Sequence, residues 1–131
     1  MRSRAAVVFG FLATIVACGS GFTLPPVTSG VVVQHTVGGH PAGAAEPRRL
    51  TSQQVQSVSN WFSQHSEGWS QSFVSYAPSL EIRLEHRDDV SVVNIVSPTV
   101  IVVYNHSGQF ERKAGLQEVE SLKSAIGDHG A

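Results

Sequence analysis

The 131 residues carry nine Lys plus Arg against ten Asp plus Glu, a net charge of −1, with a single cysteine and a mean hydropathy of +0.01. That balance excludes the concentrated cationic footprint of a nucleic-acid binder, and one cysteine excludes an internal disulfide. The length fits one domain.

Arg2 and Arg4 form a short cationic start, and Ala5 to Ala17 is uncharged with one hydroxyl, at Thr14. This is the n-region and h-region of an export signal. Thirteen helical residues span about 20 Å, short of the roughly 30 Å hydrocarbon core that a permanent span must cross. The run ends in Ile15-Val16-Ala17-Cys18, which resembles the lipobox of bacterial lipoproteins. The resemblance implies that residues 1–17 are a signal peptide, that the Cys18 thiol takes a diacylglyceryl group, and that the new amino terminus is acylated (palmitate-type chains). Gly19 stands where inner-membrane lipoproteins usually carry Asp, so the resemblance implies the outer membrane, facing the periplasm. In a monoderm host the same tether lies on the outer face of the cytoplasmic membrane. Several acyl chains at about 0.8 kcal/mol per methylene make such an anchor effectively permanent. Two other readings stand beside it: an ordinary secretory signal cut near Gly19 or Ser20, and an uncleaved apolar helix. Loss of Arg2 and Arg4 leaves a mature chain with seven basic and ten acidic residues.

Residues 18–49 read as the lipidated cysteine and a flexible tether, because Gly21, Gly30, Gly38, Gly39 and Gly43 alternate with Pro25, Pro26, Pro41 and Pro47. The apolar run Val31-Val32-Val33 interrupts it. Flanking Gly30 and Gly38 favour coil there, with addition to a sheet edge as the alternative.

The folded domain is expected over residues 50–127, followed by a tail at 128–131. Thr51-Ser52-Gln53-Gln54 matches a capping box, with Leu50 and Val55 at the staple positions. Val55, Val58, Trp61 and Phe62 then mark one helical stripe that should stop near Ser66. After Gly68 the period becomes two. Trp69 to Tyr76 predicts a first strand, Leu80 to Glu85 a half-buried one, and Val90 to Val96 and Val100 to Tyr104 strands apolar in both phases. A short last strand follows the Asn105-His106-Ser107-Gly108 turn, and Leu116, Val119, Leu122 and Ile126 mark a second amphipathic helix ending at Gly127. The fold class is therefore α+β: an antiparallel meander of about four strands between two helices. Two helices cover one sheet face, so the apolar central strands require a second cover. The candidates are the Val31–Val33 segment, a second copy of the chain, a different protein, or a curled sheet with the linker folded over it.

Catalytic signatures are missing from the sequence: no Gly-x-Ser-x-Gly elbow, no phosphate loop, no His-Glu-x-x-His pair. His35, His40, His65, His86, His106 and His129 are scattered, and no metal or cofactor is expected. Glu81, Arg83 and Glu85 share one strand face with His86 just beyond. They form a partner-recognition surface, an acid and base pair of carboxylates, or an ordinary solvated face that resists aggregation. Asn94 is expected to face solvent or to satisfy a local backbone group, and Trp61 and Trp69 to be core. The resulting expectation is an envelope-anchored lipoprotein that binds a protein, as an inhibitor, an immunity factor or an accessory subunit, or that self-associates. A small periplasmic hydrolase or ligand-binding module, and a structural spacer, are the alternatives.

Overall fold

The computed structural model describes residues 21–43 and 45–128. Residues 1–20, which carry the expected signal peptide and the expected lipidation site Cys18, and His129 lie outside the described residues. In chain order the elements are β1 (Ser29–Gln34), the short pair β2 (Thr36–Val37) and β3 (His40–Pro41), β4 (Arg48–Arg49) and α1 (Ser52–Gln64). Then come β5 (Trp69–Gln71), β6 (Leu80–Glu85), β7 (Val90–Ser97), β8 (Val100–Asn105), β9 (Gly108–Lys113) and α2 (Leu116–Ala125).

The class is α+β, with two helices and a seven-stranded antiparallel sheet in the order β4-β1-β6-β7-β8-β9-β5. The meander is β6 to β9, joined by short turns at residues 86–89, 98–99 and 106–107. Helix α1 starts where the capping box sets it. Thr51 Oγ1 accepts from the Gln54 amide at 3.1 Å, and Gln54 Oε1 accepts from the Thr51 amide at 2.9 Å, pairing two amides that a helix start otherwise leaves to water.

The segment expected to be a tether is instead part of the fold. Residues 29–34 pair along their whole length with β6, from Ser29 opposite Glu85 to Gln34 opposite Leu80. The Val31–Val33 run is thus a strand, not coil, and it widens the sheet rather than covering its second face. Gly30, which argued for coil, answers a packing need: a Cβ there would meet Leu50 Cδ1 at 2.7 Å and Leu84 Cδ2 at 3.1 Å. Further upstream, Phe22 is buried against Phe110, Trp69 and Phe62 at centroid distances of 5.1, 5.3 and 6.2 Å. Its amide donates to the Ser66 carbonyl at 2.8 Å. Among the described residues, the packed part of the chain therefore already includes Phe22, upstream of Leu50.

Alternation sorts the side chains. Val32, Leu80, Ile82, Leu84, Val93, Ile95, Ile101 and Val103 face the helices and meet Val58, Trp61, Phe62, Val119, Leu122 and Ile126 in one dry core. Each such side chain contributes roughly 1.5–3 kcal/mol by leaving water. Trp61 links the helices, its Nε1 donating to Ser121 Oγ at 2.9 Å.

The expected first strand ends early. Only Trp69–Gln71 pairs, and it pairs with β9 at the far edge; Ser72–Ser79 then crosses back toward β6 over the face without helices. Four hydrogen bonds mark its course: Ser72 amide to Gln109 carbonyl at 2.9 Å, Gln109 Nε2 to Val74 carbonyl at 2.7 Å, Tyr76 hydroxyl to Glu111 Oε2 at 2.5 Å, and Ser79 amide to Ile95 carbonyl at 2.9 Å. This crossing segment belongs to the chain's own cover of the second face, where Val92 and Val102 are buried.

Candidate functional site

The helix-free face is built from the odd side of β6. Because Leu80, Ile82 and Leu84 turn to the core, Glu81, Arg83 and Glu85 must turn the other way. The register sets their neighbours: Val31, Arg83, Val92 and Tyr104 lie in one row across β1, β6, β7 and β8, and Val33, Glu81, Asn94 and Val102 in the next.

Glu81 is buried and doubly partnered. Its Oε1 accepts from Arg83 Nε at 2.5 Å, and its Oε2 lies 3.0 Å from His35 Nε2. Burial pushes the Glu81 carboxyl up, but the hydrogen bonds from Arg83 and His35 and their attraction outweigh it and hold the group below the usual glutamate range. The hydrogen bond to Glu81 raises Arg83 in turn. Among the described residues Arg83 donates only through Nε, so both Nη groups are left for a visitor, and its side chain is 57% exposed. Glu85 stands at the rim and accepts from Ser29 Oγ at 2.8 Å.

The two carboxylates do not form an acid and base pair. Glu81 and Glu85 are four positions apart on one extended strand, about 13 Å at 3.3 Å per residue, and each has a separate partner. His86 does not join them either. Its Nδ1 lies 2.9 Å from the Pro26 carbonyl, which can only accept, so Nδ1 carries the proton and Nε2 accepts from Ser91 Oγ at 2.7 Å. Ser91 Oγ accepts in turn from Asn105 Nδ2 at 3.1 Å. A serine and histidine in this relation suit nucleophilic chemistry, but Ser91 is 0% exposed, so no substrate carbonyl reaches it. The pair clamps the segment before β1 to the β6–β7 turn.

Several other polar groups are paired locally. The Tyr76 phenol donates to Glu111, which raises the phenol and lowers the carboxyl. Asp89 is held below the usual aspartate range by its hydrogen bond with His106. His65 stacks on Trp61 at 4.1 Å. No group of three or more His, Cys, Asp or Glu side chains is placed to hold a metal ion among the described residues. Asn94 departs from expectation: it is 8% exposed, and its Oδ1 is buried without a partner among the described residues.

Sequence reasoning missed His35, which is 46 positions from Glu81 and carries no local signal. It also missed Phe73, expected inside a strand but 88% exposed in the crossing segment. No protein-family model matches the chain, and no curated protein or solved structure resembles it significantly.

Proposed function

We propose that this chain is a small envelope lipoprotein, anchored through Cys18 in the outer membrane and facing the periplasm, that acts by binding a protein partner as an inhibitor, immunity factor or accessory subunit. The observation that carries the reading is Arg83 on the helix-free sheet face. Its guanidinium is fixed at Nε by a buried carboxylate while neither Nη group is bonded among the described residues and the side chain is largely exposed, beside half-buried Val31 and Val33 and the Glu85 carboxylate. Arginine set in an apolar surround is the composition of an interface anchor, and fixing it in advance reduces the ordering cost of association. A catalytic reading lacks this support, because the serine and histidine pair is sealed.

Two measurements test the proposal separately. Intact mass and detergent partitioning of the full chain, beside Cys18→Ser, test the anchor: lipid mass and detergent entry are expected for the natural chain alone. A photo-crosslinking residue at Glu85 in living cells tests the face. A discrete crosslinked envelope protein is expected, and it should disappear in the Arg83→Glu background and be absent with the same residue at Asn60 on α1. Crosslinking equal at both positions, or unaffected by Arg83→Glu, would overturn the binding face.

A further inference from the structure

Three residues, Gly19, Ser20 and Gly21, separate Cys18 from Phe22, and Phe22 is locked in the core. Four residue steps of extended chain reach about 14 Å. A lipid on Cys18, as proposed above, would therefore keep Phe22 within that reach of the bilayer. Phe22 packs on Phe110 at 5.1 Å, Phe110 pairs with Gln71, and Gln71 is followed directly by Ser72, Phe73 and Val74. Phe73, the most exposed aromatic side chain of the described residues, thus stands two positions beyond the strand residue that pairs with Phe110, the ring on which Phe22 packs.

We infer that Phe73 and Val74, with exposed Tyr104 beside them, form a membrane-contact patch that enters the headgroup region of the bilayer holding Cys18. The inference rests on the lipid-anchor reading above. Tyr104 pairs with Gln109, whose side chain donates to the Val74 carbonyl, so one glutamine links Tyr104 to the segment that carries Phe73 and Val74. Gln71-Ser72-Phe73-Val74-Ser75-Tyr76 contains no charged residue, and the carboxylate beneath it, Glu111, already accepts from the Tyr76 hydroxyl, so the tip at Phe73 and Val74 enters the interface without carrying an ion of its own. Aromatic rings flanked by hydroxyls suit that layer, where the ring meets acyl chains and the polar groups keep partners. The charged Arg87, Asp88 and Asp89 lie on the β6–β7 turn at the same sheet end, where Asp89 is paired with His106 of the β8–β9 turn, so the uncharged run at Phe73 is the part of that end suited to enter the interface. The occupant is the bilayer and not a second protein, because three residues between Cys18 and Phe22 keep the anchored membrane within reach; Arg83 and Val31, further across the face, stay clear for the partner.

The test uses the full-length lipidated protein in phosphatidylethanolamine and phosphatidylglycerol vesicles, with a bimane fluorophore at Phe73→Cys or, as control, at Val37→Cys. Lipidation of Cys18 leaves only the introduced thiol to label. Val37 is also an exposed apolar residue but sits on the β2–β3 pair, following the β1 end that lies opposite Leu80. Acyl-brominated lipids should quench position 73 and blue-shift its emission, with position 37 unchanged. Lipid mass on Cys18 together with equal quenching at both positions would overturn the patch while leaving the anchor intact. Absence of lipid mass would overturn the anchor and the patch with it.

Discussion

Strand β6 presents two chemistries one residue apart. Leu80, Ile82 and Leu84 lie in a dry layer sealed by both helices, whereas Glu81, Arg83 and Glu85 lie on a face crossed only by a loop. Aliphatic packing is non-directional, so the first face supplies stability without specifying any one contact. Charge pairing is directional: Glu81 fixes Arg83 through one nitrogen and His35 through another. The contrast teaches that this sheet separates the work of folding from the presentation of a recognition group.

The largest test of that contrast pairs neighbours. Ile82→Ala should cost about 2–5 kcal/mol in urea unfolding, the usual loss for an aliphatic core truncation, while Arg83→Ala should cost less than about 1 kcal/mol because an ion pair with an exposed member contributes little. Equal losses would abolish the asymmetry. Asn94 breaks the pattern from the other side. Replacing its unpartnered Oδ1 in Asn94→Leu should raise stability by about 1 kcal/mol, since a buried acceptor without a donor carries its full desolvation penalty; a loss would mean that the amide is satisfied.

A smaller effect is expected with pH. The folded-state values of Glu81, Asp89 and Glu111 all lie below their ordinary ones. Each therefore contributes stability that is fully present above the ordinary carboxylate range and is lost as pH falls through the lowered folded value. Thermal unfolding followed downward through that range should show the midpoint falling, and Glu81→Gln should make the slope shallower. The smallest expected change is Phe73→Ser, within about 0.5 kcal/mol of the natural chain, as for exposed positions with no buried partner. A larger destabilisation would assign Phe73 to the fold and remove it as a contact residue.

Much of the scaffold was legible locally. The capping box at Thr51, the stripe through Val58, Trp61 and Phe62, and the alternation of Leu80 to Glu85 each encode their element within one or two turns or a few strand positions. The misreadings share a cause. Val31–Val33 becomes a strand because β6 offers it a partner some fifty residues away, and Trp69–Tyr76 is cut short because β9, not β6, supplies the ladder. The candidate site was half legible: Glu81, Arg83 and Glu85 do share a face, but His86 leaves them for Pro26 and Ser91, and His35 takes its place.

The sequence by itself determined the helices, the meander and the outward row of charges, because periodicity and capping act over a few residues and need no distant partner. Tertiary contacts were needed to show that Phe22 joins the core, that β1 and β5 border the meander, and that Ser91 is sealed while Arg83 is presented. Those outcomes depend on which hydrogen-bonding edge and which apolar surface a segment meets after the chain has closed, and that pairing is written across separations no local pattern records.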